Sequence, residues 1–200
     1  MGRYSVGIVS LPRTTNNEDQ PMNRIVASIA SLAEHLLAVA TDPEVYRPAA
    51  CPHCGLAGVW RHGCYHRKVD RSDEGRLNRL DPVPVLRYLC RACVRTCSRL
   101  PACIAPRRWY DWVVQQAVLL LLLSGMSLNA CARCSGRDRR TVRRWHAWLL
   151  ERGDEFAFFL RSRMPELGRL PDFNSFWRNV IEELSLQQAF ALLDRDLVVP

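Results

Sequence analysis

Four cysteines occur as two Cys-x-x-Cys pairs, and this spacing is typical of a metal site. Cys51 and Cys54 lie in CPHCG, and Cys90 and Cys93 lie in CRAC, with 35 residues between the pairs. Each pair can direct two thiolates at one ion, so together they predict a tetrahedral zinc site. Four sulfur ligands leave no position for water, and the predicted Zn²⁺ is therefore structural. The sequence leaves open that a neighbour replaces one of the cysteine ligands: His53, His62, His66 or Cys64.

The cysteine usage of the chain favours a cytoplasmic protein with reduced thiols. The 200 residues include nine cysteines, and residues 1–20 lack the basic start and apolar stretch of a signal peptide. Without export, thiols stay reduced and bind metals more often than they form disulfides. The most apolar run, residues 117–123, is far shorter than the roughly 20 residues that cross a bilayer. No membrane partner is expected.

Positive charge is concentrated in the middle of the chain. The net charge is +8, to which residues 1–50 contribute −1, residues 51–152 contribute +12 and residues 153–200 contribute −3. A Zn²⁺ ion with four thiolates would carry −2, which lowers the middle segment only to +10. All basic residues except Lys68 are arginines. Arginine suits phosphates and guanine edges, although a GC-rich genome would produce the same bias. The middle segment is expected to bind an anion.

Short β-prone stretches surround the cysteine pairs and predict a zinc ribbon. The stretches GVWRHGCYHRKV and VPVLRYLC are separated by RSDEGRLNRLDP, which is typical of an exposed loop. Gly63 is predicted to mark a bend or bulge in the first strand. Three aromatic side chains are predicted to lie in the core of the ribbon, with stacking on RNA bases as the alternative: Trp60, Tyr65 and Tyr88.

Beyond residue 106 the pattern changes from strand to helix. A long apolar helix is predicted to end at Ser124, and Ser127 is a candidate N-cap for a short second helix. Gly136 allows a tight turn, after which Asp138 can cap a third helix. Along the third helix, one stripe is apolar because hydrophobic residues recur at helical spacing: Val142, Trp145 and Leu149.

Four arginines fall largely off that apolar stripe, and they are the predicted DNA contacts: Arg139, Arg140, Arg143 and Arg144. With one face packed on the preceding helices, the other face would present guanidinium groups to the major groove, as a recognition helix does. Five further basic residues are predicted to contact phosphates without reading sequence: Arg107 and Arg108 before the first helix, and Arg61, Arg67 and Lys68 on the ribbon.

The stretch ACARCSGRDRRTVRRW resembles the helix-turn-helix of bacterial transposases and resolvases. Ala132 and Gly136 match its small residues, and Val142 matches the core of the reading helix. Two positions depart, because Ser135 stands where such motifs usually carry leucine and Arg137 where they carry valine. The succession CPHCG, WRHG, RYLCRAC and RT before this motif is similar to the zinc-ribbon front end of insertion-sequence transposases and their small accessory proteins. The resemblance covers about residues 51–150, and it implies binding to transposon-end or promoter DNA.

The sequence predicts an α+β fold that is mostly α, in four parts. Residues 1–48 hold an N-terminal helix and linker, 49–105 the zinc ribbon, 106–152 a three-helix helix-turn-helix domain, and 153–200 a C-terminal segment of two or three short helices. The N-terminal helix is expected over NRIVASIASLAEHLLAVA and is ended by Asp42-Pro43. The last segment has carboxylates but no strands to hold them as a two-metal clamp, so no enzymatic activity is expected.

These features together predict a non-catalytic zinc-containing DNA-binding protein of mobile-element origin, acting as a transposition accessory protein or a transcriptional regulator. The expected partner is duplex DNA in the cytoplasm, on the nucleoid, with a transposase as a further candidate partner. A homodimer would suit paired half-sites. Three alternatives stay open: a protein-interaction module, an RNA-binding zinc module, and the DNA-binding fragment of a transposase that lacks its catalytic domain.

Overall fold

The computed structural model describes residues 24–68, 82–106, 110–170, 172–195 and 197. Within these residues the chain is a mixed α+β protein with more helix than strand, as the sequence predicts. The strands are β1 (Ile25–Val26), β2 (Val59–Arg67), β3 (Val83–Cys90), β4 (Thr96–Cys97) and β5 (Leu100–Pro101). The α-helices are α1 (Leu32–Thr41), α2 (Trp112–Leu123), α3 (Leu128–Ser135), α4 (Arg139–Arg163) and α5 (Phe173–Leu193). Short 3₁₀ helices span Pro43–Tyr46 and Pro165–Arg169.

The predicted N-terminal helix is wrong in its first half. Residues 25–26 form β1 and pair in parallel with β5, and α1 begins only at Leu32. Ser31 has an extended backbone, and its side chain accepts the N–H of Glu34 while the Glu34 carboxylate accepts the N–H of Ser31. This capping box fixes the start of the helix. The predicted end is confirmed, since Asp42 is the C-cap and Pro43 opens the following 3₁₀ helix.

A three-stranded antiparallel sheet, in the order β2–β3–β4, carries both cysteine pairs at one end. Val59, the first residue of β2, is paired with Cys90, the last residue of β3, and Arg67 is paired with Val83. The pairing shifts between Arg61 and Cys64, and Gly63 has a φ of 81°. The predicted bulge at Gly63 is therefore confirmed, and it has a positive φ of the kind that glycine adopts without strain.

A buried histidine joins α1 to the sheet. His35 Nε2 lies 2.8 Å from the carbonyl oxygen of Pro84, and Nδ1 lies 2.6 Å from the Tyr46 hydroxyl. Because a carbonyl can only accept, Nε2 carries the proton, and Nδ1 then accepts from Tyr46. Burial lowers the pKa of His35, which favours this neutral form. The arrangement holds the 3₁₀ helix and α1 against β3.

Aromatic and aliphatic side chains of α2, α4 and α5 form the main core. Trp112 on α2 stacks on Phe190 of α5, with ring centroids 5.3 Å apart. Phe190 also meets Phe156 of α4 edge to face at 5.9 Å. Trp145 and Leu149 of α4 are buried in the same cluster. The packing of Trp145, Leu149 and Phe156 in this core therefore fixes the position of the first turns of α4.

Helix α4 runs without a break across residues 152–153, where the sequence analysis places a domain boundary. Its buried side continues from Leu149 through Gly153 to Phe156 and Leu160. Because this stripe continues beyond Arg152, the last part of α4 packs against α5, and the C-terminal residues share one core with α2–α4. The segment contains the end of α4, a 3₁₀ helix and α5, whose helical path is interrupted at Ser185 by a φ of 64°.

Gly153 is expected to resist replacement by alanine, although alanine is the better helix former. A Cβ atom there would lie 2.4 Å from Phe173 Cε2 and 3.0 Å from Trp177 Nε1. Overpacking costs about 1–3 kcal/mol, whereas the gain in helix propensity is about 1 kcal/mol. Gly153→Ala should therefore lower the free energy of unfolding by about 1 kcal/mol, measured by urea denaturation. Gly168→Ala is the control, because nothing lies within 4 Å of its new methyl group; equal effects of the two substitutions would contradict the packing explanation.

None of the helices in the described ranges is long and apolar enough to cross a membrane.

Candidate metal centre and basic helix surface

The four cysteines of the two pairs meet in one cluster at the end of the sheet. Their Sγ atoms all lie within 4.8 Å of one another. Across the cluster, Cys51 Sγ is 3.6 Å from Cys93 Sγ, and Cys54 Sγ is 3.6 Å from Cys90 Sγ. The pairs are 35 residues apart in sequence, and they meet because the antiparallel pairing of β2 and β3 returns the chain to its starting end. All four are free cysteines.

The two cysteine turns have the same backbone hydrogen bonds. In the first turn, the N–H of Gly55 donates to the carbonyl of Cys51, and the N–H of Cys51 donates to that of Leu56. In the second, Val94 donates to Cys90, and Cys90 donates to Arg95. These two turns of one geometry, formed by different sequences, can together direct four thiolates at one tetrahedral ion.

Backbone N–H groups point at the sulfur atoms in both turns. The N–H of His53 donates to Cys51 Sγ at 3.4 Å. In the second turn, N–H donors from Cys93 and Ala92 lower the pKa of Cys90 to about 7, whereas burial raises the pKa of Cys51 in the first turn. Such donors stabilise thiolate over thiol, and thiolate is the form that binds a metal.

The distances fit a tetrahedral ion. Metal–sulfur bonds of about 2.3 Å in tetrahedral geometry separate the sulfur atoms by about 3.8 Å, close to the two 3.6 Å separations of the cluster. The group found among the described residues contains the four cysteine sulfurs and no histidine nitrogen. Cys64, one of the alternative ligands, is exposed on β2. The four cysteines could therefore hold a metal ion.

Val94 is a strained position in the second turn. It takes the place that Gly55 has in the first turn, with φ values of 56° and 73° respectively, and Val94 is 73% exposed. A left-handed backbone costs a non-glycine residue about 1–2 kcal/mol, whereas glycine's extra unfolded-state entropy costs about 0.5–1 kcal/mol.

We expect Val94→Gly to raise the free energy of unfolding of the metal-loaded protein by about 0.5–1 kcal/mol, measured by chemical denaturation. Val113→Gly is a matched control, because Val113 is 72% exposed but lies in the first turn of α2, where the backbone is helical. There glycine should destabilise by about 0.5 kcal/mol, because valine is itself a poorer helix former than alanine. A lower stability of Val94→Gly would contradict the assignment of strain.

The predicted DNA-contact arginines lie together on the first two turns of α4, and all four are exposed: Arg139, Arg140, Arg143 and Arg144. Arg139, Arg140 and Arg143 line an open surface cavity of about 410 Å³ together with Asp138. Asp138 Oδ1 accepts the backbone N–H of Arg140 at 2.7 Å, so this carboxylate is the N-cap of the helix. Among the described residues none of the four guanidinium groups forms an ion pair.

Helix α3, a three-residue turn and the start of α4 position those arginines. Ser127 is the N-cap of α3, as predicted, and Gly136 ends α3 in the left-handed region with a φ of 64°. The apolar stripe of α4 is also confirmed, because Val142 and Trp145 are buried. Cys131 of α3 belongs to the same buried cluster. The arginines therefore point away from the core because the opposite side of their helix is fixed in it.

The two positions that depart from the helix-turn-helix pattern have their own contacts in the turn. Ser135 Oγ donates to the carbonyl of Cys131 at 2.7 Å. The guanidinium carbon of Arg137 lies 4.9 Å from the centre of the Tyr110 ring, and Tyr110 packs edge to face on Trp145. Arg137 therefore covers the turn through a cation–π contact where valine would pack directly.

The other predicted phosphate contacts have different environments. Arg61 and Lys68 are exposed on β2 and directly after it. Arg67 is half-buried, and its Nη2 donates to the carbonyl of Ala105 at 2.7 Å. It therefore joins β2 to the chain that leads toward α2. Two predicted contacts lie outside the described residues: Arg107 and Arg108.

One prediction of packing is wrong. Trp60 is 48% exposed, although Tyr88 of β3 is buried as expected. Trp60 pairs with Leu89 on the face opposite the buried Val59 and Cys90, so strand alternation turns its ring outward. On α3, Cys131 is buried and Cys134 is exposed.

Two arginines that were not among the predicted site residues lie beside the rings of Trp60 and Tyr65. Arg91 follows β3 with its guanidinium carbon 3.7 Å from the centre of the Trp60 ring. Arg87, on β3, lies 5.3 Å from the centre of the Tyr65 ring. The alternation of VPVLRYLC could have shown that Arg87 faces away from Tyr88, because the two are neighbours on one strand.

The fold and its sites define a mixed α+β protein with a four-cysteine cluster and a helix that begins with exposed arginines. Comparison with protein-family models, curated proteins and solved structures finds no match to this chain.

Proposed function

We propose that the chain is a non-catalytic, zinc-containing DNA-binding protein in which α3 and α4 act as a helix-turn-helix. The observation that carries this proposal is the cluster of four exposed arginines, without carboxylate partners among the described residues, at the beginning of a helix whose other side is buried. A solvated helix surface would intersperse both signs of charge, whereas this one has an unneutralised excess of guanidinium.

The chemistry of the ligand set supports zinc as the metal. Four thiolates in tetrahedral arrangement suit Zn²⁺ or an iron–sulfur centre. The single small cluster with sulfur–sulfur distances of 3.6 Å fits one ion with four protein ligands. Bound Zn²⁺ would stabilise the end of the sheet, and it would supply no catalytic chemistry because its coordination would be complete.

The geometry of α4 suits the major groove. A recognition helix contacts base edges with its N-terminal residues, and the arginines lie in the first six positions of α4. The positive end of the helix dipole is at the same place, which adds to the attraction for phosphate. Arg61 and Lys68 supply further exposed positive charge on the sheet, suited to contacts with phosphate that do not read sequence.

The proposed biological role follows the resemblance of residues 51–150 to transposase front ends. A protein with such a helix-turn-helix but no catalytic centre would act as a transposition accessory protein or a transcriptional regulator of mobile-element origin. Duplex DNA is the proposed partner, on the nucleoid, and a homodimer would match a site with two half-sites.

The salt dependence of duplex affinity tests the proposal. About six phosphate contacts predict that a plot of log affinity against log salt has a slope near −5. The four arginines of α4 together with Arg61 and Lys68 would supply that number. The measurement uses the zinc-loaded full chain and a labelled duplex of mixed sequence. A slope near zero, or no binding at low salt, would refute duplex binding.

A further inference from the structure

We infer that the outer face of the sheet binds unpaired DNA bases by stacking on Trp60. This surface and this form of nucleic acid are separate from the duplex site proposed on α4. The face consists of Trp60, Tyr65, Arg87, Leu89 and Arg91. The choice of DNA over RNA rests on the proposed function, whereas the stacking surface itself is independent of it.

The bulge in β2 brings the two aromatic rings onto one face. Trp60 pairs with Leu89 and Tyr65 pairs with Val85, and these two β3 residues are an even number of positions apart. Trp60 and Tyr65 are an odd number apart on β2, so a regular strand would turn them to opposite faces. The extra residue between Arg61 and Cys64 shifts the alternation by one position, so that both rings lie on the same face. The bulge is therefore the feature that aligns the rings.

Aromatic rings and guanidinium groups alternate along this face. The guanidinium carbon of Arg91 lies 3.7 Å from the centre of the Trp60 ring, a stacking distance, and that of Arg87 lies 5.3 Å from the Tyr65 ring. Neither arginine forms an ion pair among the described residues. Arg91 therefore covers one face of the indole, and Trp60 remains 48% exposed beside this positive charge.

The chemistry of the face fits a nucleic-acid strand. Strands β2, β3 and β4 contain no aspartate or glutamate, and arginines lie on or directly after β2 and β3. Positive charge attracts the phosphate backbone, while an exposed aromatic ring accepts any base because every base has a π face. An isolated exposed tryptophan would be unremarkable on a protein surface. Trp60 differs from such an isolated residue because the Arg91 guanidinium stacks on it and the Tyr65 ring lies on the same face.

The end of this outer face that is farthest from the cysteine turns is covered by other parts of the chain. Val83 and Val85 are buried against Leu100 and Ile104. Arg67 donates a hydrogen bond to the carbonyl of Ala105. The open portion therefore lies between Tyr65 and the cysteine turns, which limits the contact to a few nucleotides.

Binding of an oligothymidylate of about 12 nucleotides, within the usual range of site sizes, tests this inference. The zinc-loaded full chain is titrated into labelled oligothymidylate, the corresponding oligouridylate RNA and a duplex, with anisotropy as the readout. Trp60→Ala should weaken oligothymidylate binding about tenfold or more and leave duplex affinity unchanged within about twofold. Trp60→Phe retains an aromatic face and should bind within about threefold of the unaltered chain.

Phe158→Ala is the matched control, because Phe158 is also an exposed aromatic residue but lies on α4, away from the sheet. It should leave oligothymidylate affinity unchanged. The inference is overturned if the oligothymidylate does not bind, if Trp60→Ala binds it normally, if Phe158→Ala loses as much affinity, or if only the RNA binds. If the oligothymidylate binds through Trp60 but the duplex does not bind, the duplex proposal fails and this inference stands.

Discussion

Replacement of Cys90 by serine is expected to release the metal and to unfold the sheet and the two cysteine turns. Cys90 is buried at the end of β3, and its Sγ lies 3.6 Å from that of Cys54. Binding of structural zinc contributes about 10–16 kcal/mol in small zinc peptides, as much as the roughly 5–15 kcal/mol that stabilises a whole domain. The core around the cluster is small and depends on Cys51, Val59, Leu86 and Tyr88. Loss of the metal should therefore unfold the sheet and the two cysteine turns.

Elemental analysis and hydrogen exchange measure this result. The unaltered protein should contain one zinc ion per chain, and Cys90→Ser should contain almost none and show fast exchange of the β2–β3 amides. Cys64→Ser is the matched control, because Cys64 is exposed and outside the cluster, and it should retain zinc. Purified unaltered protein without zinc would contradict the metal assignment.

The second large effect is expected from neutralising two arginines of α4. Arg140→Gln combined with Arg143→Gln removes two guanidinium groups that line the open cavity at the start of the helix. Contacts of this kind are worth about 1–3 kcal/mol each, so duplex affinity should fall about 30-fold or more. The salt slope should also become shallower by about 2 if both arginines contact phosphate. Fluorescence anisotropy at several salt concentrations gives both quantities.

A matched double variant separates this effect from a loss of net charge. Arg169→Gln with Arg178→Gln removes the same charge from exposed positions in the C-terminal part, where Arg178 lies 3.9 Å from Glu182. Its duplex affinity should stay within about threefold of the unaltered protein. If both double variants lose duplex affinity equally, the loss reflects net charge, and direct DNA contacts by the arginines of α4 are contradicted.

Local signals predicted the elements around both sites. The N-caps Ser127 and Asp138, the left-handed Gly136 and the bulge at Gly63 are short-range features, and each is where the sequence places it. The Cys-x-x-Cys spacing likewise predicted a cluster, because the turn geometry is fixed by a few residues.

Features that depend on distant partners could not be predicted in the same way. The apolar spacing of residues 25–36 suits a helix, yet Ile25 pairs with Leu100, a partner that no local pattern reveals. Helix α4 continues across residue 152, and Gly153 lies against Phe173 and Trp177, which come from a separate helix. The outward position of Trp60 depends on its register with Leu89.

Selection of bound duplexes from a random pool tests most directly whether the arginines of α4 read DNA from a metal-stabilised scaffold. The zinc-loaded full chain should enrich one sequence, with repeated half-sites if it acts as a dimer, and bind it at least about 1,000-fold more tightly than random duplex. Arg143→Gln should relax the preference at one position of that sequence. A pool that stays random after repeated rounds would contradict sequence-specific recognition by this helix.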